Sequence, residues 1–348
     1  MWSLCTRRAA SRCLLTRRSM ATLPPIVDAH HHFYDPPANQ FQSFLRSLGV
    51  PRWMPPQYTA AAAGVDLAAS VHVEAMPDDG AAEAAWVEQL AAAGECRVKA
   101  IVGNCKLPRL SAAQELEALV AAAPSLLRGV RFILCHDGPF DGGQNATHVA
   151  STAPGHGNVD YLRDPHAAPM FERGFRLLAL HNLSFDLQCC PAQLPAAAEL
   201  FRRHAAVPVA INHLGKLRHL AADGGEADAA KLAEWRRGMG MMAELRHVNV
   251  KISMLGYVVP GWTESAEKED LLRQLVLETI QLFGAERCMF ASNWHGSGTI
   301  SISDGGPPCD MTILELYQRY HSWVHHLSSY EQERLFSGTA KQFYRIDE

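Results

Sequence analysis

Short runs rich in Val, Ile, Leu and Phe recur along the chain, apolar at successive positions and bounded by turn-forming residues. Such runs read as strands buried on both faces. They fall at 24–29, 69–75, 98–107, 129–134, 183–189, 208–214, 247–255 and 287–294. Between them, 81–93, 111–123, 191–204, 228–246 and 266–283 carry Ala, Leu, Glu and Arg at helical spacing. Alanine is a strong helix former, so these alanine clusters read as helix faces and not as low complexity. The alternation predicts an α/β protein, a (β/α)8 TIM barrel forming a single domain over residues 25–348. A doubly wound sheet would carry a glycine-rich phosphate loop after the first strand, and none is there. Three connections, 39–58, 135–157 and 296–310, exceed ordinary lengths and read as long loops. All three follow strand carboxyl ends, the active-site face of such a barrel.

Polar residues interrupt the pattern at those same strand ends. The first strand runs into Asp28-Ala29-His30-His31-His32. In an extended segment His30 and His32 share a side while His31 takes the other. Two imidazoles on one face bind a divalent metal such as zinc or grip an oxyanion. Glu74 ends the second strand, Arg128 and Arg131 flank the fourth, and Asp186 with Gln188 lie in the fifth. His213 and Lys216 close the sixth, Lys251 lies in the seventh, and Asn293, Trp294 and His295 end the eighth. Each alone reads equally well as a satisfied buried polar group, Gln188 and Lys251 above all. Together they predict one polar cup at the carboxyl end of a barrel.

Composition narrows the function classes. Of 348 residues 48% are hydrophobic and 20% charged, which excludes a disordered chain. A net charge of -4 supplies no field that would draw the protein to nucleic acid. The nine cysteines form no CxxC pair, against both a zinc ribbon and a disulfide framework. No apolar run reaches the roughly 18 residues of a membrane span, so the expectation is a soluble intracellular protein. Residues 1–24 hold Arg7, Arg8, Arg12, Arg17 and Arg18, and the first acid is Asp28. That composition predicts an organelle transit peptide and a mitochondrial-matrix protein, with a plastid, or a cytosolic form begun at Met20, as alternatives.

The motifs IVDAHHHFYDP, SVHVEA, RGVRFIL, LSFDLQ, INHLGK, VKIS and FASNW stand in order, followed by a closing FSGTAKQFYRI. In these the chain resembles the amidohydrolase-related (family 2) proteins of the amidohydrolase superfamily. It is most similar to the sugar-lactonase branch of L-fuconolactonase and L-rhamnonolactonase, with 2-pyrone-4,6-dicarboxylate lactonase as a cousin. The resemblance implies a carboxylic-ester hydrolase that opens a lactone ring of a sugar acid or small carboxylated lactone with water. It implies that His30, His32 and His213 polarise or anchor the carbonyl. Arg131 and Lys216 would hold a carboxylate or hydroxyl, with Glu74, Asp186 and Trp294 also on the substrate side. The expected partner is a small-molecule lactone or cyclic carboxylate, with no nucleic acid and no membrane. No cofactor is required; a divalent metal, if present, would sit on His30, His32 and His213.

Two positions depart from the family pattern, the first at the end of the eighth strand. The eighth strand usually ends SDWP, its aspartate acting as base or metal ligand; this chain has Ser292-Asn293-Trp294-His295. An amide takes no proton at neutral pH, so Asn293 cannot be that base, and His295 is the nearest replacement. Asn212 stands where many relatives carry aspartate, and is expected to orient His213 or close its strand. Two other readings follow: a metal-dependent amidohydrolase or decarboxylase of the same superfamily, and a barrel that has lost its base and binds a metabolite without turnover.

Overall fold

The computed structural model describes residues 23–136, 159–294 and 311–347. Eight parallel strands follow one another around a single sheet in chain order. They are β1 Ile26–His31, β2 Leu67–Val73, β3 Val98–Asn104, β4 Leu127–Arg131, β5 Ser184–Leu187, β6 Val209–Ile211, β7 Val248–Ile252 and β8 Cys288–Phe290. Just past β8 the ring draws together, where Asn293 N donates to His30 O at 2.8 Å and His31 bridges Trp294. The (β/α)8 barrel is the expected architecture, with every expected strand present. The later strands end early because the chain turns into left-handed residues at His213, Met254 and Asn293.

The helices are α1 Ser43–Ser47, α2 Pro55–Ala61, α3 Gly80–Ala92, α4 Ala112–Ala122, α5 Ala168–Phe175 and α6 Leu194–Arg203. After them come α7 Glu226–Ala243, α8 Leu255–Val258, α9 Ala266–Phe283, α10 Ile313–Val324, α11 Ser329–Glu333 and α12 Thr339–Tyr344. The connection 39–58 is therefore no open loop: α1 and the first turn of α2 lie within it. Pro55 and Pro56 start α2, since proline at the first helical positions lacks only an N–H that would be unpaired there. Gln57 reaches back to the Met54 N–H at 3.1 Å and closes the cap. Residues 137–157 of the second connection and all of 296–310 lie outside the described residues, as do His295 and residues 1–22 of the basic leader. Among the described residues no helix is long and apolar enough to cross a membrane.

Two apolar layers hold the molecule. The larger lies between strands and helices. The inner one fills the barrel, where Ala29, Ala69, Ala100, Ala210 and Ala291 keep the strand faces small. That space receives Phe343, Tyr344 and Ile346, so α12 and the second residue beyond it plug the floor of the barrel. Above the plug lies a fully buried polar group. The Lys251 ammonium donates to Asp186 Oδ2 at 2.5 Å, Asn212 Nδ2 donates to the same oxygen at 3.0 Å, and the Tyr344 hydroxyl donates to Oδ1 at 2.8 Å. Asp186 and Lys251 are both inaccessible to solvent.

A buried ion pair adds little net stability while both partners stand, but breaking it strands a charge. Lys251→Met is expected to cost about 3–5 kcal/mol of unfolding free energy, measured by urea denaturation. Lys251→Met with Asp186→Leu should recover much of that loss. A double variant no more stable than the single one would contradict the view that the uncompensated Asp186 charge sets the cost.

Candidate active site

In β1 the inward-facing residues are Val27 and Ala29, members of the barrel-filling cluster. Strict alternation would send His31 inward next. The register against β2 slips first: Asp28 pairs with Ser70 but His31 with His72, so three steps of β1 match two of β2. This is a β-bulge, and it re-aims every side chain beyond it. His31 turns outward, with Nε2 2.9 Å from Ser70 Oγ and its ring stacked on Tyr58 at 4.4 Å. His30 and His32 turn toward the mouth, as expected from the sequence, though the bulge that sets their phase was not legible there.

Three imidazoles meet in the mouth. His30 Nε2 lies 3.3 Å from His32 Nε2, and the His30 and His213 rings are 4.6 Å apart. His32 Nδ1 is 2.7 Å from Val73 O. A carbonyl only accepts, so that nitrogen carries the proton and neutral His32 presents its lone pair at Nε2. Asn293 Oδ1 stands 3.2 Å from the same Nε2, placed to accept once a proton arrives there. His213 Nδ1 is 2.9 Å from Ser253 Oγ, which leaves Nε2 for a substrate oxygen.

His213 owes its position to an unusual turn. His213, Leu214, Gly215 and Lys216 have φ of 55°, 52°, 68° and 60°. Left-handed backbone costs non-glycine residues roughly 1–2 kcal/mol each, so something must hold it. Trp235 Nε1 of α7 donates to Leu214 O at 2.7 Å. Gly215 has no room for a side chain, because a Cβ there would meet Met239 Sδ at 2.9 Å. The turn brings His213 and Lys216 to one side, and the Lys216 ammonium lies 3.9 Å from the Tyr257 ring centre. Asn212 closes the strand, donating from its backbone to Leu187 O at 2.8 Å, but its side chain serves Asp186 and not His213.

The remaining expected residues divide. Arg131 is buried and held rigidly: Nε donates to Glu74 Oε1 at 2.6 Å, Nη2 to Glu74 O at 2.6 Å, and Nη1 to Gln188 Oε1 at 3.0 Å. Glu74 Oε2 accepts from Met76 N at 2.7 Å and from Asn104 Nδ2 at 3.3 Å. Both carboxylate oxygens of Glu74 are thus engaged by protein, and its place is behind Arg131. Asp186 lies in the buried polar group above the plug. Trp294 is packed in the layer between strands and helices. Gln188, one of the residues expected in the cup, stands there beside Arg131, while Ser253 and Trp235 complete the site without having been singled out for it. Ser253 stood two residues after Lys251 in VKIS, a readable signal; Trp235 stood on a helix with none.

The sequence profile of the family described as Amidohydrolase matches residues 27–346. An L-fucono-1,5-lactonase of Burkholderia multivorans is 27% identical, over 92% of this chain and 96% of its own. An uncharacterized protein of Sinorhizobium fredii is 30% identical over 55% of this chain and 57% of its own length. Among solved structures, an amidohydrolase of Burkholderia multivorans, crystallised once with HEPES and once with zinc, superposes with a TM-score of 0.68. It shares 23% identity over 93% of this chain and 100% of that one. A probable 2-pyrone-4,6-dicarboxylic acid hydrolase of Acinetobacter baumannii, with citric acid bound, follows at 0.60 and 12% identity, over 92% and 100%.

Zinc in that neighbour raises the question of this donor set. Here the strand-eight position offers an amide, and the acids nearest the cup are committed, Glu74 to Arg131 and Asp186 to Lys251. Among the described residues no group of three or more His, Cys, Asp and Glu side chains is disposed to hold a metal ion. The described residues therefore complete no zinc site, and no step below runs through one.

Burial governs the charges. It holds His30 well below the ordinary histidine range, reinforced by the Lys251 ammonium and then by His213. It does the same to His213, reinforced by Lys216 and then Arg131. In the outer layer burial lowers His31 and His72 to about 3 each. Burial, and then the Glu74 charge, pushes the Glu83 carboxyl up. On unfolding, the four histidines regain ordinary values and take up protons below about pH 6.5, while Glu83 releases one above its ordinary range. Net uptake is positive, so stability present above about pH 6.5 is lost as pH falls. Between about pH 6 and pH 5 the unfolding free energy should drop by ~1.4 kcal/mol per pH unit for each net proton. Urea titrations at several pH values measure it; a flat or rising profile on acidification would contradict four neutral buried histidines.

Proposed function

The chain belongs to the amidohydrolase family and is a hydrolase, and from that premise we propose that it opens the lactone ring of a sugar acid or small carboxylated lactone. The observation that carries the reading is His32, whose Nδ1 proton is committed to Val73 O while Nε2 lies 3.2 Å from Asn293 Oδ1. Water adds to the lactone carbonyl and gives its proton to His32 Nε2, where Asn293 Oδ1 accepts the resulting N–H. His30 and His213 donate to the oxyanion that forms, in a site dry enough for such bonds to count for several kcal/mol. The ring C–O bond then breaks, and His32 returns the proton to the departing alkoxide, giving the open hydroxy acid. Arg131, fixed by Glu74 and Gln188, and Lys216 on its left-handed turn hold the substrate's carboxylate or hydroxyls. Similarity to a lactonase over nearly the whole chain supports this choice within the family.

The test follows acid release with a pH indicator over a panel of aldonolactones and carboxylated lactones, with chelator present. Turnover is expected with metal removed. Turnover only after a divalent metal is restored would replace this mechanism with a metal-dependent one, and no turnover of any member would favour a binding-only barrel. His213→Ala should lower kcat at least ~100-fold, and Asn293→Asp should raise it by giving His32 a stronger acceptor.

We also propose a mitochondrial-matrix location, on the arginine-rich, acid-free residues 1–24. Isolated mitochondria should import the full chain and leave a chain lacking residues 1–24 outside; equal import of both would contradict it.

A further inference from the structure

Asp28 is a buried carboxylate bonded by neutral groups, with the Lys251 ammonium acting on it only through space. Four hydrogen bonds reach it from neutral donors: Ser292 N at 2.8 Å and His30 N at 3.3 Å on Oδ1, and Ser292 Oγ at 2.5 Å and Tyr58 OH at 2.6 Å on Oδ2, with the Tyr317 hydroxyl also nearby. The residue is inaccessible to solvent and lies on the outer side of β1, away from the mouth. A carboxylate held in the core by neutral donors is costly to keep even when well bonded. The donors say what it accomplishes. Two of the four belong to Ser292, the residue before Asn293.

Asn293 has φ of 50°, and three consecutive backbone N–H groups fix it there. Ser292 N is taken by Asp28 itself, and Asn293 N by His30 O at 2.8 Å. Trp294 N donates to Ser292 Oγ at 3.0 Å. That last bond also depends on Asp28. A hydroxyl that gives its proton to a carboxylate turns its lone pairs elsewhere, here toward Trp294 N. Asparagine tolerates the left-handed region better than most residues, but tolerance does not select one conformer. The same carboxylate also bonds His30 N at the bulge, so the two strand ends that face His32 are tied to one group.

We propose that Asp28, acting through Ser292, is a positioning residue: it sets the left-handed backbone of Asn293 and so places Asn293 Oδ1 against His32 Nε2. This rests on the lactonase reading for its catalytic consequence but not for its geometry. Asp28 touches neither substrate nor reacting atoms.

The test compares Ser292→Ala, Asp28→Asn and Asn293→Ala in the full chain. Ser292→Ala is included because Asp28→Asn loses a charge from the core and risks failing to fold. Ser292→Ala and Asn293→Ala should each lower kcat roughly tenfold or more with KM little changed, as expected for a misplaced group. The double variant should lose no more than the worse single one, because both act through one contact. Losses in kcat that multiply, or a Ser292→Ala enzyme with unchanged kcat, would overturn the proposal. Amide hydrogen exchange reads the geometry without substrate. Exchange at Asn293 and Trp294 should quicken in Ser292→Ala while the β1 and β7 amides stay protected; unchanged exchange at both positions would also overturn it. If the unaltered protein opens no lactone, the functional reading fails, and exchange alone decides the positioning role.

Discussion

One extra residue in the first strand governs the site. Without the slip between Asp28 and His31, the alternation begun by Val27 and Ala29 would carry His31 into the mouth and bury His30 and His32 against the helices. A single such step exchanges the two faces of a strand. The bulge leaves a distorted ladder whose strained segment needs outside anchorage. Asp28 supplies it, joining β1 to the end of β8 and to α2 through Tyr58. Barrel closure and the placement of the histidine pair are therefore one structural event.

Charge is handled by separation into compensated groups. Glu74 answers Arg131, and Asp186 answers Lys251, each pair buried with its remaining lone pairs satisfied. What faces the mouth beside them is neutral imidazole, kept so by burial and by the nearby cations. Neutral histidine both donates and accepts, which suits a reaction whose proton leaves water and returns to an alkoxide. The left-handed turn at 213–216 adds Lys216 at the same rim. Backbone strain here sits where the chemistry is proposed, and Trp235 from the surrounding helix layer offsets it.

Much of this was legible in the sequence, for reasons that differ between fold and site. Parallel strands buried on both faces announce themselves as unbroken apolar runs, so the barrel and its eight strands could be read directly. The histidines and Arg131 stood at strand ends, where polar residues have no packing role. Roles were harder. Glu74 reads as a substrate ligand until its two oxygens are found on Arg131, Met76 and Asn104. Trp294 reads as a rim aromatic until its ring is found in the apolar layer. Periodicity carries no mark of a bulge, which depends on the partner strand, nor of Trp235, whose bond spans 21 residues of chain. The helices within 39–58 were hidden by prolines that start a helix as readily as they end one.

The plug has a consequence for how the molecule comes into being. The floor of the barrel is closed by Phe343, Tyr344 and Ile346, and Tyr344 completes the bonding of Asp186. β1 meets β8 only across more than two hundred and fifty residues, through Asp28 and Ser292. Neither contact can form before Ser292 and Tyr344 themselves have been synthesised. Pairings this remote in sequence are slow to find, because loop closure precedes any reward. A chain in which α12 has not docked would still hold all eight strands and yet have an open floor, with Ala29, Ala69 and Met289 uncovered. Such a species is what chaperones and proteases engage, so the docking of α12 decides whether an otherwise complete barrel is left alone.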